Sequence, residues 1–146
     1  MKQLVMVLDK EKIEALIAAA KVNPRLRQNL DLRNSPEDNS QRMLNALEPG
    51  TELPIHRHTK SSETTAVLRG SIRQNFYELV EDDSNNGKPH LKLSESVIIS
   101  ANGPCPIYVV PQGMWHNTEC LESGTILFEA KDGRYEPLAE KDILKK

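Results

Sequence analysis

The spacing of three histidines constrains this chain more than any other feature of its sequence. The pattern is Gly50-x5-His56-x-His58-x4-Glu63-x6-Gly70, followed by Pro111-x-Gly113-x2-His116. His56 and His58 are two residues apart, so on a strand both side chains point to the same face. Glu63 follows a short polar turn, and His116 comes from a separate strand. Three imidazoles and one carboxylate that converge in a β-fold predict a site for one divalent transition metal ion: Fe, Mn, Ni, Zn or Co.

Length and composition exclude several classes of protein. A chain of 146 residues is long enough to bury a core as one domain. It has 19 basic and 21 acidic residues and no basic stripe, so no nucleic-acid partner is expected. No apolar run is long enough to span a bilayer, so no membrane partner is expected. The absence of a secretory signal pattern and the two cysteines, which form no disulfide framework, predict a cytoplasmic protein with reduced thiols.

The chain divides into a short helical preface and a β-rich body. Asp9 is a suitable N-cap, and an apolar stripe at helical spacing predicts a helix from Asp9 to about Val22 that ends before Pro24. Residues 25–39 are polar and predict a loop. We therefore expect residues 1–40 to form an N-terminal helix and connecting loop, and residues 41–146 to form a β-barrel domain, within a single structural domain overall.

Short strand patterns separated by turn signals fill the second part of the chain. The predicted strands are Gln41–Leu47, Thr64–Arg69, Ser71–Val80, Leu91–Ser100, Ile107–Val110 and Thr125–Ala130. Strands of this length and spacing favour an all-β sandwich or barrel, with a jelly roll as one option. Gly70 and Gly113 are expected to be turn positions that require a positive φ.

The residues also resemble a known family. The Gly50 to Gly70 segment is similar to the first motif of the cupin superfamily at every defining position, and Pro111 to His116 is similar to most of the second. Other segments resemble WbuC-type cupin-fold metalloproteins: Gln41–Thr51, His56–His58, Val67–Gly70, Trp115–His116 and Leu127–Lys131. One departure is Cys120, which stands where the second motif usually has an asparagine.

The resemblance implies both a fold and a site. The fold would be a cupin double-stranded β-helix, or jelly roll, with a short N-terminal α-helix. The implied metal ligands are His56, His58, Glu63 and His116. Because WbuC-type proteins are often associated with O-antigen and other surface-polysaccharide gene clusters, the resemblance also implies a small-molecule ligand derived from a sugar.

Five polar residues are candidates for contacting such a ligand: Arg42, Asn45, Gln74, Tyr108 and Glu129. For Gln74 and Tyr108 the favoured interpretation is that they face outward from their strands. Arg42 lies in an apolar strand and needs a partner. That partner is either Glu48 or Glu129 in an ion pair, or an anionic ligand group such as a phosphate or carboxylate.

The first functional hypothesis is a metalloenzyme that acts on a sugar or sugar nucleotide in polysaccharide synthesis, as an isomerase, epimerase or oxygenase. The alternative is a metal-dependent binding or regulatory module without turnover. An enzyme needs an acid/base group beside the metal, and no residue outside the ligand set is identified as one. A purely structural metal is disfavoured because structural zinc sites are usually cysteine-rich. We expect a homodimer, since open jelly-roll edges are often paired.

Overall fold

The computed structural model describes residues 5–144 and begins with one helix, α1, at Lys10–Val22. The Asp9 carboxylate caps it by accepting a hydrogen bond from the Lys12 backbone N–H at 3.0 Å, which confirms the predicted N-cap. The helix ends at Asn23, whose extended backbone precedes a proline, as the sequence predicts. Within the described part of the chain, no helix is long and apolar enough to cross a membrane.

The rest of the described chain forms two antiparallel sheets and two single-turn 3-10 helices, at Asp83–Asn85 and Glu140–Asp142. The strands are β1 Arg27–Asp31, β2 Arg42–Leu47, β3 Ile55–His56, β4 Glu63–Arg69, β5 Ser71–Val80, β6 His90–Ser100, β7 Ile107–Val110, β8 Trp115–Cys120, β9 Thr125–Lys131 and β10 Ile143–Leu144. The first sheet has the order β1-β2-β9-β4-β7, and the second has the order β10-β3-β8-β5-β6. This arrangement is the jelly roll that the strand pattern and the resemblance predicted.

The predicted strands agree closely with the observed ones. The bounds of β5 and β7 match at both ends, and the other four predictions differ by one residue at one end. The prediction of an uninterrupted loop over residues 25–39 is wrong, because Arg27–Asp31 forms β1 and pairs with β2 from Arg27↔Leu47 to Asp31↔Met43. Leu30 is the only apolar residue of β1, so the strand depends on backbone pairing and carries no clear apolar alternation.

The first sheet is covered on both faces by separate apolar clusters. On its outer face, Ile17 and Ala20 of α1 pack against Leu44, Ala46 and Ile126. On its inner face, side chains meet those of the second sheet in a cluster of Leu47, Val67, Ile72, Ile99 and Leu127. Fully burying one such aliphatic side chain stabilises the fold by about 1.5–3 kcal/mol. The two clusters fix which face of each strand points into the space between the sheets.

The inward-facing side chains change from apolar to polar along several strands. In steps of two residues, β4 presents Val67, Thr65 and Glu63, β8 presents Cys120, Thr118 and His116, and β9 presents Leu127, Glu129 and Lys131. Neighbouring strands are in register, so the polar residues collect at one end of the space between the sheets. The fold therefore has an apolar end, which holds the sheets together, and a polar end.

The turn between β4 and β5 gives a test of this packing. Gly70 has φ +79°, and an added Cβ would lie 2.9 Å from the Thr125 Cα. We expect Gly70→Ala to lower the free energy of unfolding by roughly 3 kcal/mol or more, because backbone strain and a backbone clash add. Gly113 has φ +83° with nothing within 4 Å of an added Cβ, so it is a control for strain alone. Gly113→Ala should cost only about 1–2 kcal/mol. Equal costs in urea unfolding would contradict this account.

Candidate metal centre

Three histidines meet at the polar end of the space between the sheets. In the β3–β8 pairing, His56 lies directly opposite His116, and their ring centroids are 4.4 Å apart. The His58 ring centroid is 5.0 Å from that of His56 and 5.6 Å from that of His116. β3 ends at His56, so His58 reaches the group from the loop that follows and not from a regular strand. The predicted convergence of the imidazoles is present, although strand alternation produces only part of it.

Two of the imidazoles have a defined tautomer. His56 Nδ1 lies 2.9 Å from the Pro54 carbonyl oxygen, and His116 Nδ1 lies 2.9 Å from the Met114 carbonyl oxygen. A carbonyl only accepts hydrogen bonds, so each Nδ1 carries the proton and each Nε2 keeps its lone pair. One nitrogen from each of the three histidines lies within 4.8 Å of the others. Backbone carbonyls that orient histidine rings in this way are typical of metal sites.

His58 adds a buried nitrogen that has no hydrogen bond. Its Nε2 atom makes none within residues 5–144, and an unsatisfied buried polar atom is costly. The same Nε2 lies 3.2 Å from Glu63 Oε2, close enough for both atoms to bind one ion. Glu63 Oε1 accepts a hydrogen bond from the Thr65 hydroxyl at 3.3 Å, and Lys131 Nζ lies 3.8 Å from Glu63 Oε2. Imidazoles beside a carboxylate suit a divalent transition metal, so the residues present fit such an ion.

The electrostatic environment favours the protonation states that a metal requires. Burial, together with the neighbouring His116, lowers the pKa of His56 to about 4. Burial also lowers the pKa of His116. Burial alone would raise the pKa of Glu63, but its contact with His58 and the charge of Lys131 outweigh burial and lower it. At neutral pH His56 and His116 are therefore neutral and Glu63 is ionised, as metal ligation needs.

The histidines open onto a cavity of about 450 Å³ between the two sheets. Polar residues of the first sheet line it, and the C-terminal segment covers part of it. Its lining includes Arg27, Asn29, Asn45, Leu53, Thr118, Glu129, Lys131 and Leu138. A volume of this size falls within the range of small-molecule sites.

Two of the predicted ligand-contacting residues lie on the wall of this cavity. Asn45 donates a hydrogen bond from Nδ2 to Glu129 Oε2 at 2.9 Å. Glu129 is surrounded by protein but faces the cavity. In the β4–β9 pairing it lies opposite Thr65, which is two residues after Glu63 in β4. Burial raises the pKa of Glu129, and the negative charge of Glu63 raises it further. The wall therefore carries a carboxyl group that retains its proton more readily than an exposed glutamate does.

Gln74 and Tyr108 do not face outward, so the favoured interpretation of both was wrong. Gln74 is fully buried, and its Oε1 accepts a hydrogen bond from the Thr118 hydroxyl at 2.5 Å. The Tyr108 hydroxyl lies near Thr65 and Thr118, and burial raises its pKa. These polar side chains form a layer behind the cavity wall, at the point where the inward faces change from apolar to polar. Strand alternation could not decide this, because both residues lie in strands without a clear polar face.

Arg42 is not brought together with the histidines. Its Nη1 lies 3.1 Å from Asp38 Oδ2 and 3.0 Å from the Ser40 carbonyl oxygen. The alternation along β2 turns Arg42 to the face opposite the cavity. The predicted partners were also wrong, since Glu48 accepts hydrogen bonds from residues 123 and 124 and Glu129 accepts one from Asn45. The local loop supplied a closer partner than either glutamate.

Three features of the site were missed by the sequence reasoning. Lys131 lines the cavity, and its position four residues after the inward-facing Leu127 could have revealed it. Arg27 also lines the cavity, but it lies in the strand that was read as a loop. The C-terminal segment is held by a salt bridge between Arg57 Nε and Asp142 Oδ1 at 2.8 Å, and no local pattern signals that contact.

The sequence matches one protein family over more than half of its length. Residues 8–85 match a domain of unknown function, DUF6016. The chain belongs to this family. A search of curated proteins finds no match for the sequence.

Several cupin-fold proteins of known structure are similar to this chain, which has the cupin jelly-roll fold. KdgF from Halomonas sp. is 15% identical with a TM-score of 0.52, covering 79% of this chain and 85% of KdgF. The capsular polysaccharide assembling protein CapF from Staphylococcus aureus is 20% identical with a TM-score of 0.57, covering 84% of this chain and 32% of CapF. Oxalate oxidase in complex with glycolate is 13% identical with a TM-score of 0.56, covering 82% of this chain and 57% of the oxidase.

The low histidine pKa values predict a pH-dependent stability for the metal-free protein. Unfolded histidine binds a proton below about pH 6.5, whereas folded His56 does so only near pH 4. Between these values the unfolded state binds more protons, so the free energy of unfolding should fall as the pH drops from about 6.5 to 4, by roughly 2–3 kcal/mol from His56.

Urea unfolding of metal-free protein across this pH range measures the effect. His56→Asn should flatten the dependence. His90→Asn is a matched control, because His90 lies on the β5–β6 hairpin and contacts Ser84 and the Lys88 carbonyl instead of the cluster. A free energy of unfolding that stays constant between neutral pH and pH 5 in the wild type would contradict the assignment.

Proposed function

We propose that this chain is a metal-dependent enzyme that moves a proton on a sugar derivative, in an isomerisation or epimerisation. The observation that carries the proposal is the group of three imidazole nitrogens within 4.8 Å of one another at the edge of a cavity. His56, His58 and His116 would hold one divalent ion, with Glu63 as the fourth protein ligand. When bound, such an ion polarises a substrate carbonyl or hydroxyl oxygen and makes a neighbouring C–H more acidic.

Glu129 supports an enzyme over a binding module. It lies outside the histidine cluster, on the same cavity wall, and Asn45 holds its carboxyl group at 2.9 Å. In its ionised form, a carboxylate in that place can take a proton from a substrate carbon, and the resulting carboxylic acid can return it. Lys131, whose side chain is 16% exposed, lies beside Glu63 and can bind an oxygen of the substrate. A module that only binds its ligand does not need an acid/base group at this position.

The sugar class is supported by one structural comparison, by the sequence resemblance and by the wall of the cavity. CapF is a capsular polysaccharide assembling protein, and the sequence resembles WbuC-type proteins of surface-polysaccharide gene clusters. The wall presents amide, carboxyl and hydroxyl groups from Asn29, Asn45, Thr118 and Glu129, which can pair with the hydroxyl groups of a sugar.

The metal assignment is tested by elemental analysis of protein purified without added metal. We expect a single transition metal ion per wild-type chain, and a large loss of metal in His116→Asn. His90→Asn, which changes a histidine on the distant hairpin, should keep the metal. Equal metal content in the wild type and in a folded His116→Asn protein would show that the histidine cluster is not the site.

The role of Glu129 is tested by Glu129→Gln, which keeps the size of the side chain and its contact with Asn45. We expect metal content to stay the same and turnover in a screen of sugar phosphates and sugar nucleotides to fall by about 100-fold or more, since general acid/base groups contribute factors of that order. Wild-type turnover in Glu129→Gln would remove Glu129 from the reaction. Saturable binding of these compounds by the metal-loaded wild type, without turnover, would favour the binding module.

A further inference from the structure

One cation on the cavity wall has no anionic partner. Arg27 lies in β1 and is partly buried, and its Nη1 donates a hydrogen bond to the Glu52 carbonyl oxygen at 2.8 Å and approaches the Thr51 hydroxyl at 3.4 Å. Within residues 5–144, no carboxylate lies within salt-bridge distance of its guanidinium. The other arginine on β1–β2, Arg42, is paired with Asp38.

The surroundings of Arg27 destabilise its charged form. Burial lowers the pKa of Arg27, and the positive charge of Arg25 lowers it further. A guanidinium remains charged under these conditions, so a partly buried one gains most from an anion that its free donors can reach. The Glu52 carbonyl occupies one edge of the fork and holds the side chain in place, which leaves the remaining N–H groups available for bidentate contact.

Arg27 also lies at a different part of the cavity from Glu63 and Lys131. It is opposite Leu47 at the apolar end of β2, whereas Glu63 is opposite Lys131 at the polar end. Lys131 lies beside residue 41, just before the start of β2, whereas Arg27 lies beside Leu47 at its end. These two positions are six residues apart along the strand, so the backbones of Lys131 and Arg27 are separated by about 20 Å in the strand direction. Lys131 is close to Glu63, whereas Arg27 has no carboxylate partner among the described residues 5–144.

We propose that Arg27 binds an oxyanion of the ligand, a phosphate or a carboxylate, at the end of the cavity away from Glu63 and Lys131. The inference rests on the proposed function, because it names the charge of the molecule that the same cavity accepts. Selectivity for an anionic sugar follows, since a neutral sugar would leave the guanidinium without a partner.

Three related sugars distinguish the sources of the oxyanion: glucose 6-phosphate, glucuronate and glucose. Calorimetric titration should show wild-type protein binding one or both charged sugars more tightly than glucose by about tenfold or more. Arg27→Gln removes the charge but can still donate to the Glu52 carbonyl, so the variant should keep the wild-type melting temperature and lose the preference for charged sugars over glucose. Arg27→Lys keeps the charge but cannot make bidentate contact, so this variant should keep part of that preference.

Arg73→Gln is the matched control, because Arg73 pairs with Glu119 and lies outside the cavity, and it should retain the full preference. The titrations are repeated on metal-free protein, where this preference should persist, since Arg27 is not one of the proposed metal ligands. Metal analysis of the purified protein separates the two proposals. If wild-type protein as purified contains no metal, the proposed function is contradicted, and the role of Arg27 is not affected. An unchanged preference in Arg27→Gln, or no preference for either charged sugar over glucose, would overturn the role of Arg27.

Discussion

The rest of the site depends on the antiparallel pairing of β3 with β8. This pairing sets His56 opposite His116 and holds their rings in contact across two strands of one sheet. Because side chains alternate between faces, a slip of one residue would turn His116 away from the space between the sheets. β3 contains only two residues, so its position is supported by β10 on its other side and by the salt bridge between Arg57 and Asp142.

The space between the sheets serves packing and chemistry in different places. At one end, Leu47, Val67, Ile72, Ile99 and Leu127 bury apolar surface and stabilise the contact between the sheets. At the other end, the inward-facing side chains are polar. His58 Nε2 and Gln74 Nε2 are buried there without hydrogen bonds in the described chain. Such groups cost stability, and a bound ion that engaged His58 would recover part of that cost.

Two arginines show how the face of a strand decides the role of a charged side chain. Arg27 and Arg42 lie on adjacent strands of the same sheet. Arg42 points away from the cavity and is neutralised by Asp38, four residues earlier in the chain. Arg27 points to the cavity side and meets a backbone carbonyl instead of a carboxylate. Arg42 therefore binds the loop that precedes its strand, whereas Arg27 lines the candidate site.

The sequence alone predicted the helix and six of the strands, because turn residues and period-two alternation are local signals. It also predicted that the three histidines meet, although His58 reaches the group from the loop after β3 and not through strand alternation. It also placed Asn45 and Glu129 among the candidates, and the structure puts both on the cavity wall. Only the tertiary structure decided the rest. β1 has little apolar alternation, and its pairing with β2 brings Arg27 to the cavity. The partner of Arg42 and the inward position of Gln74 depend on neighbours from other strands and loops, which no local pattern encodes.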